Sequence, residues 1–338
     1  MVTLKDIARL AGVAPSTVSR IINDKADKSA SEEVKNRVWA AVRDTGYIPN
    51  RAARQLRTGV QESEAPTIST LFARADGACE DSYFVELATY VSQEVLRQNC
   101  RLGPQYTLMQ AQQWDPGGQE PGKADGLVIL GKTGAHCNDF IAHFKKRVVY
   151  VTLNQAVLDR DHVACNGQLA TETALQYLYD NGHRKIAYAG EQKNEIRFIS
   201  YRAFLAKHGL TMERSLLMQV HMDREGGWRA AEMLLQMERA CRPTAVFCAN
   251  DATAVGLVKE LEKRGARVPQ EVSVISIDDI PAAAAMDPGL TTMKIPVNEM
   301  GSIAVKVLRD RIKKGHVAYL NVFVPSRLIV RDSVAPLL

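Results

Sequence analysis

The sequence predicts two parts, an N-terminal all-α head and an α/β body of two doubly wound parallel-sheet lobes. Three observations carry that prediction. First, the charge is unevenly placed. The first 60 residues hold 11 Lys and Arg against 6 Asp and Glu, whereas the other 278 hold 32 of each sign, in a 338-residue chain of net charge +5. Second, the same stretch carries three short apolar stripes at helical spacing. Third, from residue 66 onward short apolar runs alternate with amphipathic segments, the pattern of parallel sheets covered by helices on both faces.

Composition narrows the class. With 46% apolar and 24% charged residues, the chain is an ordinary globular sequence and not a collagen, a disordered tract or a disulfide scaffold. No apolar run approaches the roughly 18 residues of a membrane span. The start, MVTLKDIARL, is amphipathic and lacks the apolar core of a secretory signal, so a cytoplasmic protein with no membrane partner is expected. Six cysteines at 79, 100, 137, 165, 241 and 248 make no C-x-x-C pair and read as reduced structural thiols. A basic head on a neutral body points to an anionic polymer as one partner and a different partner for the body.

In the head, Thr3 and Asp6 form a capping-box-like start. Leu4, Ile7, Ala8 and Ala11 then make one stripe, which Gly12 ends. Pro15 suits a first helical residue. Val18, Ile21 and Ile22 form the buried face of the second helix, with Ser16, Thr17, Ser19, Arg20 and Asn23 on its remaining surface. Val34, Val38, Ala41 and Val42 make the third stripe, closed by Gly46, and Trp39 on that helix reads as packing. This is a helix-turn-helix pattern whose second helix enters the major groove of double-stranded DNA, where Arg20 can read guanine through two hydrogen bonds. On the pattern alone, a three-helix packing or dimerisation module stays open.

The runs TLKDIARLAGV, STVSRIIND and GYIPNRAARQL closely resemble the head of the lactose/galactose repressor family of bacterial transcription regulators. The resemblance implies that Pro15, Ser16 and Arg20 set operator preference. It implies that Thr3, Thr17, Ser19, Asn23, Tyr47 and Asn50 mostly hold phosphates. Residues 48–65 would be a hinge and linker that folds on operator DNA, with Leu56 wedged into the minor groove and Ala53 small enough for two hinges to pack. Read without the family, Leu56 is a linker residue packed on the body. One departure is Ala14, where the family usually has a capping Ser; alanine caps a helix poorly, at a cost of about 0.5–2 kcal/mol.

In the body, strands are expected at Thr67–Phe72, Gly126–Leu130, Val148–Thr152, Lys185–Ala189, Ala245–Cys248 and Ser273–Ile277. Helices are expected at Tyr83–Asn99, Gln168–Asn181, Gly226–Arg239, Ala252–Arg264 and Asn298–Lys313. Ligands of such sheets sit beyond the carboxyl ends of the strands. Polar residues stand there: Asn250 and Asp251, Asp278 and Asp279, Thr152 and Asn154, Arg197, and Trp228 at the start of a helix. Each also has a plain reading: Asp278 as a helix cap, Asn250 as a turn residue, Arg197 as a surface ion pair, Trp228 as core.

The phrases NGHRKIAYAG, REGGWRAAEMLLQM and TAVFCANDATAVG are similar to the same family's sugar-sensing body, which extends the resemblance over essentially the whole chain. That body is periplasmic-binding-protein-like, two lobes joined by three crossings. The implied domains are 1–47, the DNA-binding head; 48–65, the hinge; and 66–338, the effector-binding and dimerisation domain. Lobe 1 is about 66–157 plus 293–320, and lobe 2 about 158–292 plus 321–338. Arg197, Trp228, Asn250 and Asp278 match effector contacts. Thr152 stands where the family often has Asp, a departure that bears on affinity and sugar preference. REGGW, PGKADGLVILGK and the segment SVISIDDIPAAAAMDPGLTTMKIPVNEMG resemble the family's lactose and β-galactosidase-operon members, so a β-galactoside or galactose-type effector is expected.

The implied protein is a homodimeric repressor, not an enzyme, released from its operator when a sugar effector binds. A corepressor-type member answering to a purine or a phosphorylated sugar is the alternative. No cofactor is expected. The run Gly126–Thr133 satisfies the P-loop expression, but its four intervening residues, Leu127–Leu130, are themselves the predicted strand. The seven histidines form neither H-x-x-x-H nor H-E-x-x-H, so no metal site is expected.

Overall fold

The computed structural model describes residues 3–23, 30–45, 47, 65–73, 82–115, 124–153 and 159–337. Helix α1 (Leu4–Ala11) begins at Thr3, whose hydroxyl oxygen accepts from the Asp6 N–H while the Asp6 carboxylate accepts from the Thr3 backbone N–H. It ends at Gly12, whose φ of 65° is a left-handed turn that costs glycine little. Helices α2 (Pro15–Asn23) and α3 (Glu32–Thr45) follow. Ile7, Ala11, Val18, Ile22, Val38, Trp39 and Val42 form one buried core, joined by Tyr47 and by Leu96 of the body. Arg43 of α3 donates to the Thr89 hydroxyl at 2.6 Å, and burial lowers the Arg43 pKa.

The chain divides into two compact units. Unit 1 comprises Met1–Thr152, Ala156–Ala164 and Val297–Val322. It holds β1 (Thr67–Ala73), α4 (Ser82–Arg97), β2 (Arg101–Thr107), α5 (Leu108–Gln112), β3 (Gly126–Gly131), α6 (Asn138–His143), β4 (Val148–Thr152) and β5 (Asp161–Cys165), the last ending at the unit boundary. Its sheet runs β11-β5-β4-β3-β1-β2, β11 being Asn321–Val324 near the C-terminus. Strands β2, β1, β3, β4 and β5 pair in parallel. Leu127–Leu130 of β3 are fully buried, as expected of a central strand covered on both faces. The P-loop-like run is therefore a strand whose backbone groups belong to the sheet.

Unit 2 comprises Leu153–Gln155, Cys165–Pro296 and Phe323–Leu338. Its elements are α7 (Gly167–Asp180), β6 (Ile186–Gly190), α8 (Ile196–Lys207), β7 (Leu217–Gln219), α9 (Arg224–Gln236), β8 (Ala245–Cys248), α10 (Asp251–Lys263), β9 (Ser273–Asp278), α11 (Pro281–Ala284), β10 (Thr291–Lys294) and β12 (Arg327–Ile329). Helix α12 (Val297–Ile312) returns to unit 1, and β11 (Asn321–Val324) spans the last boundary. The sheet order is β12-β10-β9-β8-β6-β7, parallel except for the edge pair β10–β12.

The observed crossings differ by a few residues from those expected, because hydrogen bonds carry each strand further. Pairing of Thr152 with Ala164 keeps β5 in the first sheet. The Ile295 N–H donates to the Asp278 carbonyl, which keeps the chain in the second. Several elements were not among the expected strands and helices, including β2, β5, β7, β12, α5, α6, α8 and α11. Strand β2 (RLGPQYT) hides behind a Gly and a Pro, and α8 behind arginines that break its stripe of Phe198, Tyr201, Phe204 and Leu205.

Unit 1 buries a histidine against a threonine hydroxyl. His162 is 1% exposed; its Nε2 lies 2.8 Å from the Thr152 hydroxyl and its Nδ1 has no hydrogen-bond partner among the described residues. Burial pushes its pKa down to about 4. A histidine kept neutral when folded contributes stability at pH values above its unfolded pKa, about 6.5, and loses it as pH falls toward the folded value. We expect His162→Asn to remove about 3 kcal/mol of the acid destabilisation between pH 6.5 and 4, read as the difference between two urea-unfolding series. Equal pH slopes in the two proteins would contradict this.

Candidate functional site

The head presents one exposed helical face. Ala14, Pro15, Ser16 and Arg20 are exposed, Thr17 and Ser19 are half-buried, and Val18, Ile21 and Ile22 face the core. This is the arrangement a recognition helix needs, with base-reading and phosphate-holding groups outward on a fixed frame. Helix α2 starts without a side-chain cap, since Ala14 offers only its carbonyl, which accepts from Thr17 and Val18. Thr3 spends both its hydroxyl proton and its N–H on the Asp6 carboxylate, at 2.7 and 2.9 Å. A phosphate contact there has to displace that cap. Tyr47 is 5% exposed, its phenol pKa raised by burial, so its ring serves the head core. Asn23 closes α2. The side chain of Asn23, together with Asn50, Ala53, Leu56 and the hinge, lies outside the described residues.

Unit 2 gathers four of the five expected effector residues at or near the carboxyl edge of its sheet. Helix α8 starts at Glu195, whose carboxylate accepts from the Arg197 N–H at 3.0 Å and from Arg197 Nε at 2.6 Å. Arg197 Nη1 donates to the Ala249 carbonyl at 2.9 Å, and Nη2 lies 3.7 Å from Met222 Sδ. Burial opposes the charge of Arg197, but Glu195 and Asp278 outweigh it and hold the guanidinium above its ordinary pKa. Arg197 is thus an ion pair, as its plain reading had it, but a buried one at the head of a strand-to-helix loop.

Asn250 is the N-cap of α10. Its Oδ1 accepts from the Thr253 N–H and hydroxyl at 3.0 and 2.7 Å, and its Nδ2 donates to the Met222 carbonyl at 2.9 Å. These bonds use three of the four hydrogen-bonding positions of the amide and leave one Nδ2 hydrogen. Arg197, Ala249, Asn250 and Met222 therefore form a closed ring of contacts.

Asp278 ends β9 with φ 137°, followed by Asp279 at φ 59°. Non-glycine residues held in such regions store of order 1–3 kcal/mol each, and such strain concentrates at functional sites. Asp278 does not cap the next helix, because α11 begins at Pro281 and its N-cap, Ile280, has no side-chain cap. The strained loop is clamped from outside. Asp251, fully buried, accepts from the Ser276 and Thr292 hydroxyls and the Ile280 N–H at 2.5, 2.6 and 2.9 Å. Burial pushes the Asp251 pKa up to about 6 despite these bonds. Asp279 pairs with Arg331 at 2.6 Å and Lys294 at 3.1 Å.

Trp228 is 48% exposed on α9, so it is not core. Its helix lies close against α10 because glycines line the contact. A Cβ at Gly227 would collide with the Thr253 carbonyl oxygen, and one at Gly256 with the Arg224 carbonyl oxygen. Gly227→Ala is expected to cost about 1–3 kcal/mol as overpacking, measured as a lowered urea midpoint. Thr152 lies in unit 1, bonded to His162. Glu195, Met222 and Ala249 escaped the sequence reading. Glu195 precedes the unforeseen helix α8, and the other two act through backbone carbonyl or sulfur, which residue type does not advertise. Among the described residues no group of three His, Cys, Asp or Glu side chains is arranged to hold a metal. No described helix is long and apolar enough to cross a membrane.

Comparison with known proteins places this architecture. Residues 3–50 match the family described as bacterial regulatory proteins, lacI family, and residues 175–334 match a periplasmic binding protein-like domain. The chain is 30% identical to the ribose operon repressor of Haemophilus influenzae, over 99% of each protein. It is 28% identical to the HTH-type transcriptional repressor PurR of Klebsiella pneumoniae, over 99% of this chain and 97% of that one. Among solved structures, a complex of the transcriptional regulator CelR with cellobiose superimposes with TM-score 0.70, 22% identity, covering 98% of this chain and all of that one. The lac repressor dimer bound to operator and the anti-inducer ONPF gives 0.69 at 20% identity, covering 99% of each. The expected kinship with β-galactosidase-operon repressors gains no support from these relatives. The head, the two parallel-sheet units and the full-length identity agree: the chain belongs to the lacI family of bacterial regulatory proteins, DNA-binding repressors that answer to small-molecule effectors.

Proposed function

We propose that this protein represses transcription as a homodimer on a roughly palindromic operator and is released by an uncharged sugar, of β-galactoside or galactose type. The observation that carries the sugar reading is the polar ring in unit 2. A fixed guanidinium, an amide and a strained carboxylate offer the donors and acceptors that vicinal hydroxyls require, and exposed Trp228 offers a plane for the apolar face of a pyranose. Arg197, Asn250, Asp278 and Trp228 are the assigned effector residues of unit 2. The relative named for the ribose operon and the structural neighbour bound to cellobiose support a sugar; the galactoside rests on the REGGW and SVISIDD resemblances. The lac repressor structure, a dimer on operator, supports the assembly. By linkage, a sugar that weakens operator binding is itself bound more weakly, by the same factor, when operator is present.

Tryptophan fluorescence of the full chain, titrated with lactose, galactose, an alkyl β-galactoside, ribose, glucose and a purine base, tests the reading. Each binder is then added to an operator complex. Saturable galactoside binding that releases operator supports it. A purine that tightens operator binding replaces it with the corepressor reading.

A further inference from the structure

We propose that Glu195 is a specificity residue: by occupying the start of α8 and pairing with Arg197, it closes the unit 2 site to sugars that carry a carboxylate or a phosphate. The inference rests on the sugar reading above and concerns which sugars are refused.

A guanidinium beside the start of a 12-residue helix is a natural anion site, because the terminal N–H groups and the positive charge point the same way. Here the protein supplies the anion itself. One oxygen, Glu195 Oε1, takes both the Arg197 backbone N–H at 3.0 Å and Arg197 Nε at 2.6 Å. The side chains are 12% and 9% exposed, so little water screens the pair. The guanidinium is further fixed by the Ala249 carbonyl and Met222 Sδ. It has few ways to turn toward an incoming carboxylate.

The surrounding charges act in the same direction. Lys294 and Arg331 are both engaged on Asp279. Asp251 is buried with its oxygens on Ser276, Thr292 and Ile280. Arg197 is thus already engaged by Glu195 and lies within the field of Asp278. A neutral sugar meets hydrogen-bonding groups there. A uronate or sugar phosphate meets the Asp278 carboxylate and a guanidinium that Glu195 already holds, in a poorly screened place. Specificity of this kind works by repulsion of the wrong ligand.

The test compares the full-length protein with Glu195→Gln, which keeps the side chain's shape and an oxygen for the Arg197 N–H, and with Glu195→Ala, which empties the position. Each is titrated calorimetrically with galactose, galacturonate, galactose 6-phosphate, ribose, ribose 5-phosphate and inorganic phosphate. We expect the native protein to bind only neutral sugars. In both variants the ratio of anionic to neutral affinity should rise at least tenfold, and the new binding should weaken with added salt. Native protein that binds the uronate or phosphates as well as the neutral sugars, or variants whose ratio is unchanged, would overturn the proposal. Should the native chain bind no sugar at all, the sugar reading fails separately. Inorganic phosphate then decides the role of Glu195: gained by the variants, it upholds the closure, and not gained, it overturns it.

Discussion

Asp278→Gly is expected to abolish the sugar response while leaving operator binding intact and the fold at least as stable as the native one. The carboxylate ends β9 beside the Arg197 guanidinium, and charge-assisted bonds of this kind contribute about 1.5–3 kcal/mol, roughly 10- to 150-fold in Kd. The glycine separates function from folding. At φ 137° the native aspartate stores strain that glycine does not, so the substitution relieves about 1–3 kcal/mol while removing the binding group. Asp278→Ala removes the same group and keeps a Cβ in the strained region. Fluorescence titration with an alkyl β-galactoside should show both variants weakened alike, and urea unfolding should rank the glycine variant above the alanine variant. A glycine variant that still releases operator at native sugar concentrations would remove Asp278 from the site.

Arg20→Ala is expected to lower affinity for the native operator by about 1–3 kcal/mol and to relax base preference at one position in each half-site. Non-specific affinity should change far less. Arg20 is exposed on the open face of α2, whose opposite face is the core of Val18, Ile21 and Ile22. Loss of its side chain therefore leaves the helix packed, and its melting temperature should be unchanged. The measurement is anisotropy of labelled operator against a scrambled duplex of equal length at fixed salt, since phosphate contacts alone vary steeply with ionic strength. Equal losses on both duplexes would make Arg20 a phosphate contact instead of a base reader.

Much of this protein is legible in its sequence because local chemistry specified it. The capping pair Thr3 and Asp6, the left-handed Gly12, the buried Val18–Ile22 face and the uninterrupted LVIL of β3 each need only neighbours along the chain. The placement of all net charge in the head is likewise a property of order alone, and it was enough to separate a DNA-facing part from a neutral body. Strand β2 and helix α8 were not legible, since their pattern is broken by Gly and Pro in one and by arginines in the other, and packing overrides such local preference.

The effector residues divide along the same line. Residue type and strand-end position nominated Arg197, Asn250, Asp278 and Trp228. Only the tertiary structure decided what each does there: Arg197 is a buried pair neutralised by Glu195, Asn250 spends most of its amide as a helix cap, Asp278 is held in a strained turn, and Trp228 is turned outward. The physical reason is range. Periodicity and capping act over a few residues, whereas contacts that hold this site join residues far apart in the chain: Asp251 to Ser276 across 25 positions, and Arg197 to Ala249 and Asp279 to Arg331 across 52. They exist only once the sheet has brought its carboxyl ends together.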